Sequence, residues 1–143
     1  YIEQGAPLPS LVEFTLKDDQ RGDPLITEDA LVALEIVTPQ EIGFMKETAK
    51  KATAILKAHL AERGLDLIDI KYEFGEVDGK TMIIDEISGD GMRVVRNGEL
   101  LLQKELAAAL LGANWDKLTA VIREVELPFA GDSTSTICFS SRR

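Results

Sequence analysis

Hydrophobic and polar positions divide most of the chain into segments with strand or helix periodicity. Leu11 to Leu16 is a short apolar run typical of a strand, and Thr27 predicts the start of a short helix that extends to about Glu35. Thr38-Pro39-Gln40-Glu41 forms a capping box with proline at the first helical position, and apolar residues then recur at helical spacing as far as Gly64. This last pattern predicts the longest helix of the chain.

The segment from Leu65 to Phe74 alternates between apolar and charged residues, which is typical of a strand with one buried face. The residues expected on its buried face are Ile68, Ile70, Tyr72 and Phe74. The chain then turns at Asp78-Gly79 and returns, so an antiparallel hairpin is predicted. Asn97-Gly98 predicts a second hairpin, and helices are predicted over Gln103 to Leu111 and Asn114 to Glu124. These elements predict an α+β domain with an antiparallel sheet packed against the longest helix.

Composition suggests how the chain is organised. A length of 143 residues with 45% hydrophobic content is sufficient for one domain with a core. Residues 1–10 contain one glycine and two prolines and are expected to be a connector, and residues 11–127 are expected to form the domain. Residues 128–143 are rich in Ser and Thr, so a loosely held tail is expected there.

The charge balance restricts the possible partners. A formal net charge of -9 argues against nucleic acid, because affinity for its phosphates depends on clustered Lys and Arg. No apolar run approaches the length of about eighteen residues that a membrane helix requires, and the first residues do not resemble a signal peptide. The cytoplasm is therefore the expected compartment, without a membrane partner. An acidic protein that binds anionic small molecules needs local cations or a metal ion.

The first predicted hairpin carries the candidate site. The charged residues of interest on it or in the glycine-containing loop that follows are Asp69, Lys71, Glu73, Asp85, Glu86, Asp90 and Arg93. A solvated strand face often alternates charged residues, and such a face would contribute little. Carboxylates brought close together nevertheless raise one another's pKa unless a cation lies between them. The pattern therefore suggests a bound divalent cation, and oxygen ligands favour magnesium.

The turn at Asp78-Gly79 decides whether Glu73 and Asp85 can share that cation. A two-residue turn pairs Val77 with Lys80 and places Asp85 on the face away from Glu73, which would exclude a shared site. A three-residue loop shifts the pairing by one residue and brings Asp85 diagonally next to Glu73. We predict the three-residue loop, or a bulge with the same effect.

Three segments resemble those of one known family. LIDIKYEFG (Leu67 to Gly75) is similar at every position to the second signature of the SAICAR synthetase family, also called phosphoribosylaminoimidazole-succinocarboxamide synthase. VEFTLKDDQRGDPLI and DEISGDGMR resemble two further segments of that family. The resemblance extends from about Leu11 to Gly112. It implies the C-terminal domain of the family, an α+β fold described as ATP-grasp-like or kinase-like. The N-terminal nucleotide-binding domain of the family has no counterpart in the sequence, so the chain is expected to be incomplete for activity.

The resemblance also implies an activity. Family members are ATP-dependent ligases of purine biosynthesis that use magnesium. They phosphorylate the carboxylate of carboxyaminoimidazole ribonucleotide (CAIR), and the amine of L-aspartate then attacks to give SAICAR, ADP and phosphate. The implied small-molecule partners are therefore CAIR, L-aspartate and ATP, and a homo-oligomer is possible.

The same resemblance implies roles for individual residues. Glu73 and Asp85 would hold the magnesium ions that bridge the ATP phosphates. Lys71 would lie beside the reacting centre as a cation, with Asp69 as a candidate base for the aspartate amine. The remaining implied contacts are Lys17 to the nucleotide, and Asp23, Asp90 and Arg93 to the substrates.

Two other functions remain open. The chain could be a non-catalytic acidic module that has kept the fold and a magnesium site. It could also be a related ligase that acts on a different carboxylate.

Overall fold

The computed structural model describes residues 10–85 and 87–111, and the backbone of residues 137–142. The predicted α+β class is confirmed, because strands and helices of these residues build an antiparallel sheet covered by helices. The elements in chain order are β1 (Leu11–Leu16), β2 (Leu25–Ile26), α1 (Glu28–Ala33), α2 (Pro39–Ala61), β3 (Asp66–Val77), β4 (Lys80–Ile83), β5 (Met92–Arg96), β6 (Glu99–Leu100), α3 (Gln103–Leu111) and β7 (Ile137–Arg142).

Both N-terminal helices begin at the predicted capping residues. The Ala30 N–H donates to Thr27 Oγ1 over 3.1 Å at the start of α1. In the capping box of α2, the Glu41 N–H donates to Thr38 Oγ1 over 3.2 Å, and the Thr38 N–H donates to Glu41 Oε2 over 2.7 Å. These bonds satisfy backbone donors that have no partner inside the helix. The predicted helix Asn114 to Glu124 lies outside the described residues.

The core lies between α2 and the sheet. Ile42, Met45 and Ala49 of α2 are buried against it, as helical spacing predicts. Tyr72 of β3 is also buried, and its hydroxyl lies 3.1 Å from Thr53 Oγ1 on α2. Burial raises the pKa of Tyr72 despite this hydrogen bond, because the phenolate would lose its hydration. The helix and the central strand are therefore joined by a polar contact inside an apolar layer.

The prediction that four residues lie on the buried face of β3 is wrong for one of them. Ile70, Tyr72 and Phe74 are buried as expected, but Leu67 is buried and Ile68 is only half-buried. The reason is a change of register in the β3–β5 ladder between Leu67 and Asp69, which inserts an extra residue and reverses the alternation.

β3 is the central element of the sheet. The strand order is β2-β1-β7-β3-β5-β6, with β4 also paired to β3. β7 covers one edge of β3, so β4 and β5 share the other edge, with β4 on the C-terminal part and β5 on the N-terminal part. The sequence analysis did not predict β2 or β7, and β7 falls within residues 128–143, where a tail is expected.

The three-residue loop predicted at Asp78-Gly79 is wrong. Val77 pairs with Lys80, so the turn has two residues, and Asp78 (φ 52°) and Gly79 (φ 71°) are both left-handed. That geometry is the preferred two-residue hairpin turn, and Asp followed by Gly adopts it readily. β4 ends at Ile83, however, so strand alternation does not decide which way Asp85 faces.

Candidate functional site

Four charged side chains from two distant parts of the sequence meet beside β3. Lys71 Nζ lies 2.7 Å from Asp23 Oδ2 and 3.5 Å from Glu73 Oε1. Lys17 Nζ lies 3.6 Å from the same oxygen of Glu73. Cations and carboxylates therefore alternate within this group, which we call the lysine cluster (Lys17, Asp23, Lys71 and Glu73). All four residues were predicted site residues, and the structure brings them together.

Asp23 reaches Lys71 because the conformation of the turn after β1 fixes its position. Gly22 (φ 70°) and Asp23 (φ 52°) both adopt left-handed conformations. The Asp23 N–H donates to Asp18 O over 3.0 Å, and Asp23 Oδ1 accepts from the Asp18 N–H over 2.9 Å. The hydrogen bond from Lys71 holds the pKa of Asp23 below its usual value, with burial opposing the shift and the Asp18 N–H adding to it. Asp23 is therefore a fixed anion facing Lys71.

Lys17 is held between two carboxylates. Its Nζ donates to Asp19 Oδ1 over 2.6 Å and also lies near Glu73. The bond to Asp19 is the largest cause that raises the pKa of Lys17; burial opposes it, and the charges of Glu73 and Asp23 add to it. Lys17 consequently stays protonated at physiological pH. The sequence analysis did not predict the contributions of Asp18 and Asp19, which depend on how the turn folds.

Asp69 and Arg93 form a second charged group: Asp69 precedes Lys71 by two residues on β3, and Arg93 is on the neighbouring strand β5. They are direct partners across β3 and β5. Arg93 Nε lies 3.0 Å from Asp69 Oδ1 and 2.9 Å from Oδ2, and Arg93 Nη2 also donates to Oδ2. This bond to Asp69 is the main cause that raises the pKa of Arg93 above its ordinary value. Arg93 is therefore a permanent cation beside β3.

The acidic loop, described at residues 84, 85 and 87–91, lies between β4 and β5 and leaves the sheet next to the lysine cluster. The Ile84 N–H donates to Glu73 O over 2.9 Å, and the Lys71 N–H donates to Gly91 O over 2.8 Å. The loop thus departs from and returns to two backbone positions of β3 that are only two residues apart. Asp85 is exposed near its start.

Asp90 lies near the end of the acidic loop and is exposed. Its Oδ1 accepts a hydrogen bond from Ser88 Oγ. That bond is the main cause that lowers the pKa of Asp90, and backbone N–H groups of Asp90 and Gly91 contribute. Sequence reasoning did not identify Ser88, although a Ser two residues before an Asp in a glycine-containing loop is a recognisable signal.

An apolar edge borders the lysine cluster. It consists of Gly75, Met82 and Ile84, and the residues Met82 and Ile84 are 39% and 40% exposed. A Cβ added at Gly75 would lie 2.7 Å from Ile84 Cδ1, so the Ile84 side chain would have to shift in any variant that carries a side chain at this position. A separate groove of ≈ 320 Å³ along β1, β2 and the start of α1 contains none of the predicted site residues.

A metal site must be judged by its donors. Within residues 10–85, 87–111 and 137–142, no group of three or more His, Cys, Asp or Glu is placed to hold a metal ion. Magnesium does not require three protein ligands, because it is commonly bound by one or two carboxylates together with substrate phosphates and water. Glu73 and Asp85 fit that type of donor set. Their role as ligands stays a prediction, as do the roles assigned to the other site residues.

No helix among the described residues combines the length and the apolar character that crossing a bilayer demands.

Comparisons with known proteins agree on one family. Residues 2–110 match the SAICAR synthetase family. A phosphoribosylaminoimidazole-succinocarboxamide synthase of Clostridium tetani is 42% identical over 113 residues, which are 78% of this chain and 50% of that protein. The protein of the same name from Thermotoga petrophila is 46% identical over 99 residues, 68% of this chain and 43% of that protein. The chain therefore spans about half the length of these relatives, or less.

Solved structures give the same result for the fold. One described as a SAICAR synthetase superposes with a TM-score of 0.63 at 40% identity, covering 85% of this chain and 57% of the other. A phosphoribosylaminoimidazole-succinocarboxamide synthase from Ehrlichia chaffeensis superposes with a TM-score of 0.61 at 24% identity, covering 82% and 53% of the two chains. At that identity the second likeness supports the fold alone.

Proposed function

This chain belongs to the SAICAR synthetase family, and we propose on that premise that it forms part of an ATP-dependent carboxylate–amine ligase. The reaction joins L-aspartate to CAIR and gives SAICAR, ADP and phosphate. ATP and Mg²⁺ are the proposed cofactors, and CAIR, L-aspartate and ATP are the proposed partners. We place the protein in the cytoplasm. The domain boundaries at residues 10 and 127, and a homo-oligomer, remain predictions.

The lysine cluster is the observation that supports this proposal most. Phosphoryl transfer is catalysed mainly by positioning and by cations that offset charge on the transferred group. Lys17 and Lys71 are two such cations, and both lie within 3.6 Å of Glu73 Oε1. Carboxylates hold both ammonium groups in place before a ligand arrives. A cluster of this kind receives an anionic ligand without first ordering its side chains.

Lys71 is the residue for which we propose the most direct role. Its side chain is 39% exposed, so the ammonium group remains accessible while Asp23 binds it. On ligand binding, the Lys71 ammonium would donate to a phosphate or acyl oxygen and share its charge with Asp23. Lys17 would offset phosphate charge from the β1 side, and Asp23 keeps Lys71 directed at the site.

Glu73 and Asp85 are the residues that would hold Mg²⁺. Bound magnesium offsets the negative charge of the ATP phosphates and of the group in transfer. Glu73 is directed into the cluster, with a side chain 17% exposed, whereas Asp85 is exposed on the acidic loop. The two carboxylates thus approach from a rigid strand and from a loop. The apolar edge next to Glu73 provides a surface for an uncharged part of a ligand.

Arg93, Asp90 and Asp23 are proposed to contact the substrates. Arg93 presents a guanidinium, which suits a carboxylate or a phosphate. Asp90 is kept ionised by Ser88 and suits a substrate hydroxyl or amine. Asp69 remains the sequence-based candidate for the base, although both of its oxygens already accept hydrogen bonds from Arg93.

The test is aspartate-dependent release of ADP. The assay supplies ATP, Mg²⁺ and CAIR with or without L-aspartate. It uses this chain alone and this chain fused to the part of the Clostridium tetani relative that it does not cover. We expect release to require L-aspartate, to be lost in Lys71→Met and to persist in the control Lys57→Met, an exposed lysine on α2.

Two results would contradict the proposal. Equal ADP release with and without L-aspartate would exclude the ligase. Binding of Mg²⁺ and ATP by calorimetry, with no aspartate-dependent release in either protein, would support the non-catalytic module instead.

A further inference from the structure

A change of register brings Asp69 and Arg93 together. Leu67 pairs with Val94, whereas Asp69, two residues later, pairs with Arg93. β3 therefore contains one more residue than β5 between these pairs, which is a β-bulge. A ladder that continued regularly from Leu67 would pair Arg93 with Ile68 and would place Arg93 and Asp69 on opposite faces. The bulge lets Leu67 enter the core while Asp69 still meets Arg93.

The two partners differ in exposure. The Asp69 side chain is 12% exposed and the Arg93 side chain is 58% exposed. Asp69 therefore forms the inner, fixed member of the pair, and the guanidinium forms the outer member. Both oxygens of Asp69 accept hydrogen bonds from Arg93, which fixes the plane of the guanidinium as well as its position.

The guanidinium keeps donors for a second anion. It has five N–H groups, and Asp69 engages the one on Nε and one on Nη2, which leaves three. In the described part of the chain, Asp69 is the one acceptor to which this guanidinium is hydrogen-bonded. The open edge, formed by Nη1 and Nη2, has the fork geometry that matches a carboxylate or a phosphate.

We propose that Asp69 is a positioning residue: with the bulge before it, it holds the guanidinium of Arg93 so that the Nη1–Nη2 edge binds an anionic group of the substrate. The identity of that substrate rests on the proposed function, whereas the positioning rests on the geometry alone. Lys71 follows Asp69 by two residues on β3, so its ammonium lies on the same side, roughly 7 Å along the strand. An anion on Arg93 is therefore next to the lysine cluster.

This role differs from that of a base. A base must accept a proton from the attacking amine during the reaction. Protonation of Asp69 would remove an acceptor from the guanidinium and disturb the group that it holds. In the proposed role Asp69 takes no proton from the amine and acts on the substrate only through Arg93.

The first test observes Arg93 directly in this chain. The Nε–H of Arg93 is followed by nitrogen-15 NMR, and inorganic phosphate is the probe. We expect a slowly exchanging Nε–H that shifts on addition of phosphate. In Asp69→Asn we expect that protection to be lost and phosphate affinity to fall about tenfold, as the loss of a charge-assisted contact implies. Glu76→Gln, an exposed position on the same strand, is the control and should behave as the wild type.

A second variant tests whether the position of the carboxylate at residue 69 matters in addition to its charge, in a protein that stays folded. Asp69→Glu keeps the negative charge but lengthens the side chain, so we expect it also to lose Nε–H protection while its backbone spectrum remains folded. Equal protection in the wild type and Asp69→Asn, or equal phosphate affinity, would overturn the proposal.

The kinetic test uses the fused enzyme described above. A positioning role predicts that Asp69→Asn raises KM for CAIR while the pH profile of kcat keeps its shape. Loss of kcat with unchanged KM and a missing limb of the pH profile would assign Asp69 as the base and overturn the proposal. If the wild-type enzyme shows no aspartate-dependent turnover, the proposed function fails, and the NMR test still decides the positioning role.

Discussion

The two halves of β3 position charge in different ways. Beyond Ile70, where the pairing with β5 ends, Lys71 and Glu73 are held by Asp23 and Lys17, which come from about fifty residues earlier in the chain. In the half next to β5, Asp69 is held by its direct cross-strand partner. The lysine cluster depends on a tertiary contact, and β3 pairs regularly with β7 at Lys71 and Glu73. The Asp69–Arg93 pair depends on the bulge in the β3–β5 ladder. A single strand can therefore support two charged groups that respond to different substitutions.

This comparison predicts that each group can be disrupted without the other. Changes in the turn before β2 should affect the lysine cluster and leave the Asp69–Arg93 pair intact. Changes at the bulge should have the opposite effect.

The largest effect is expected from Glu73→Gln. This change removes the carboxylate that lies between Lys17 and Lys71 and that we propose as a magnesium ligand. We expect aspartate-dependent ADP release by the fused enzyme to fall by about 100-fold or more, which is the scale of losing one electrostatic group at a reacting centre. The Nε–H signal of Arg93 should not change. Loss of that signal would show that the two groups are not independent.

Gly75→Val should destabilise the regular half of β3. A Cβ at this position would lie 2.7 Å from Ile84 Cδ1, so Ile84 would have to move. We expect the free energy of unfolding to fall by about 1–3 kcal/mol in urea titrations, the usual range for overpacking. Gly43→Ala on α2 is the matched control, because nothing lies within 4 Å of the added Cβ. It should stabilise the protein by about 0.5–1 kcal/mol through helix propensity.

Asp23→Asn should weaken the tertiary contact in a pH-dependent way. The pKa of Asp23 is lowered in the folded protein by Lys71, so the pair stabilises the fold at pH values above the unfolded pKa, which is about 4. That contribution is lost as the pH falls through the folded pKa. We expect a difference of about 1 kcal/mol between wild type and variant at pH 7, shrinking on acidification. A difference that does not depend on pH would contradict the assigned cause.

Ser88→Ala should have the smallest effect. It removes the hydrogen bond that contributes most to lowering the pKa of Asp90. We expect the pKa of Asp90, measured by NMR titration, to rise toward its ordinary value, while the free energy of unfolding changes by no more than about 0.5 kcal/mol. The titration of Asp23 is the internal control and should not move.

Local sequence signals identified most of the elements correctly. The capping residues Thr27 and Thr38 begin the two helices as predicted, because caps act within a few residues of the backbone groups they satisfy. Asn97 and Gly98 form the second hairpin turn, again through a local preference for positive φ. The eight candidate site residues were also chosen from the sequence, by charge pattern and by resemblance.

The register of the sheet was harder to predict from the sequence. The two-residue turn at Asp78-Gly79 and the bulge before Asp69 each shift the pairing by one residue, and a shift of one residue exchanges the two faces of a strand. A pattern of alternation does not reveal such a shift, because both registers contain the same residues. The burial of Leu67 in place of Ile68 shows the consequence.

The sequence by itself determined the family, the α+β class, the helix starts and the charged residues of the candidate site, because these depend on short-range preferences and on residue identity. Only the tertiary structure decided which charges meet: Asp23 with Lys71 across 48 residues, and Asp69 with Arg93 across a bulge. The physical reason is that such contacts depend on how strands align and how turns close. Those are set by the packing of the whole sheet against its core rather than by neighbours in sequence.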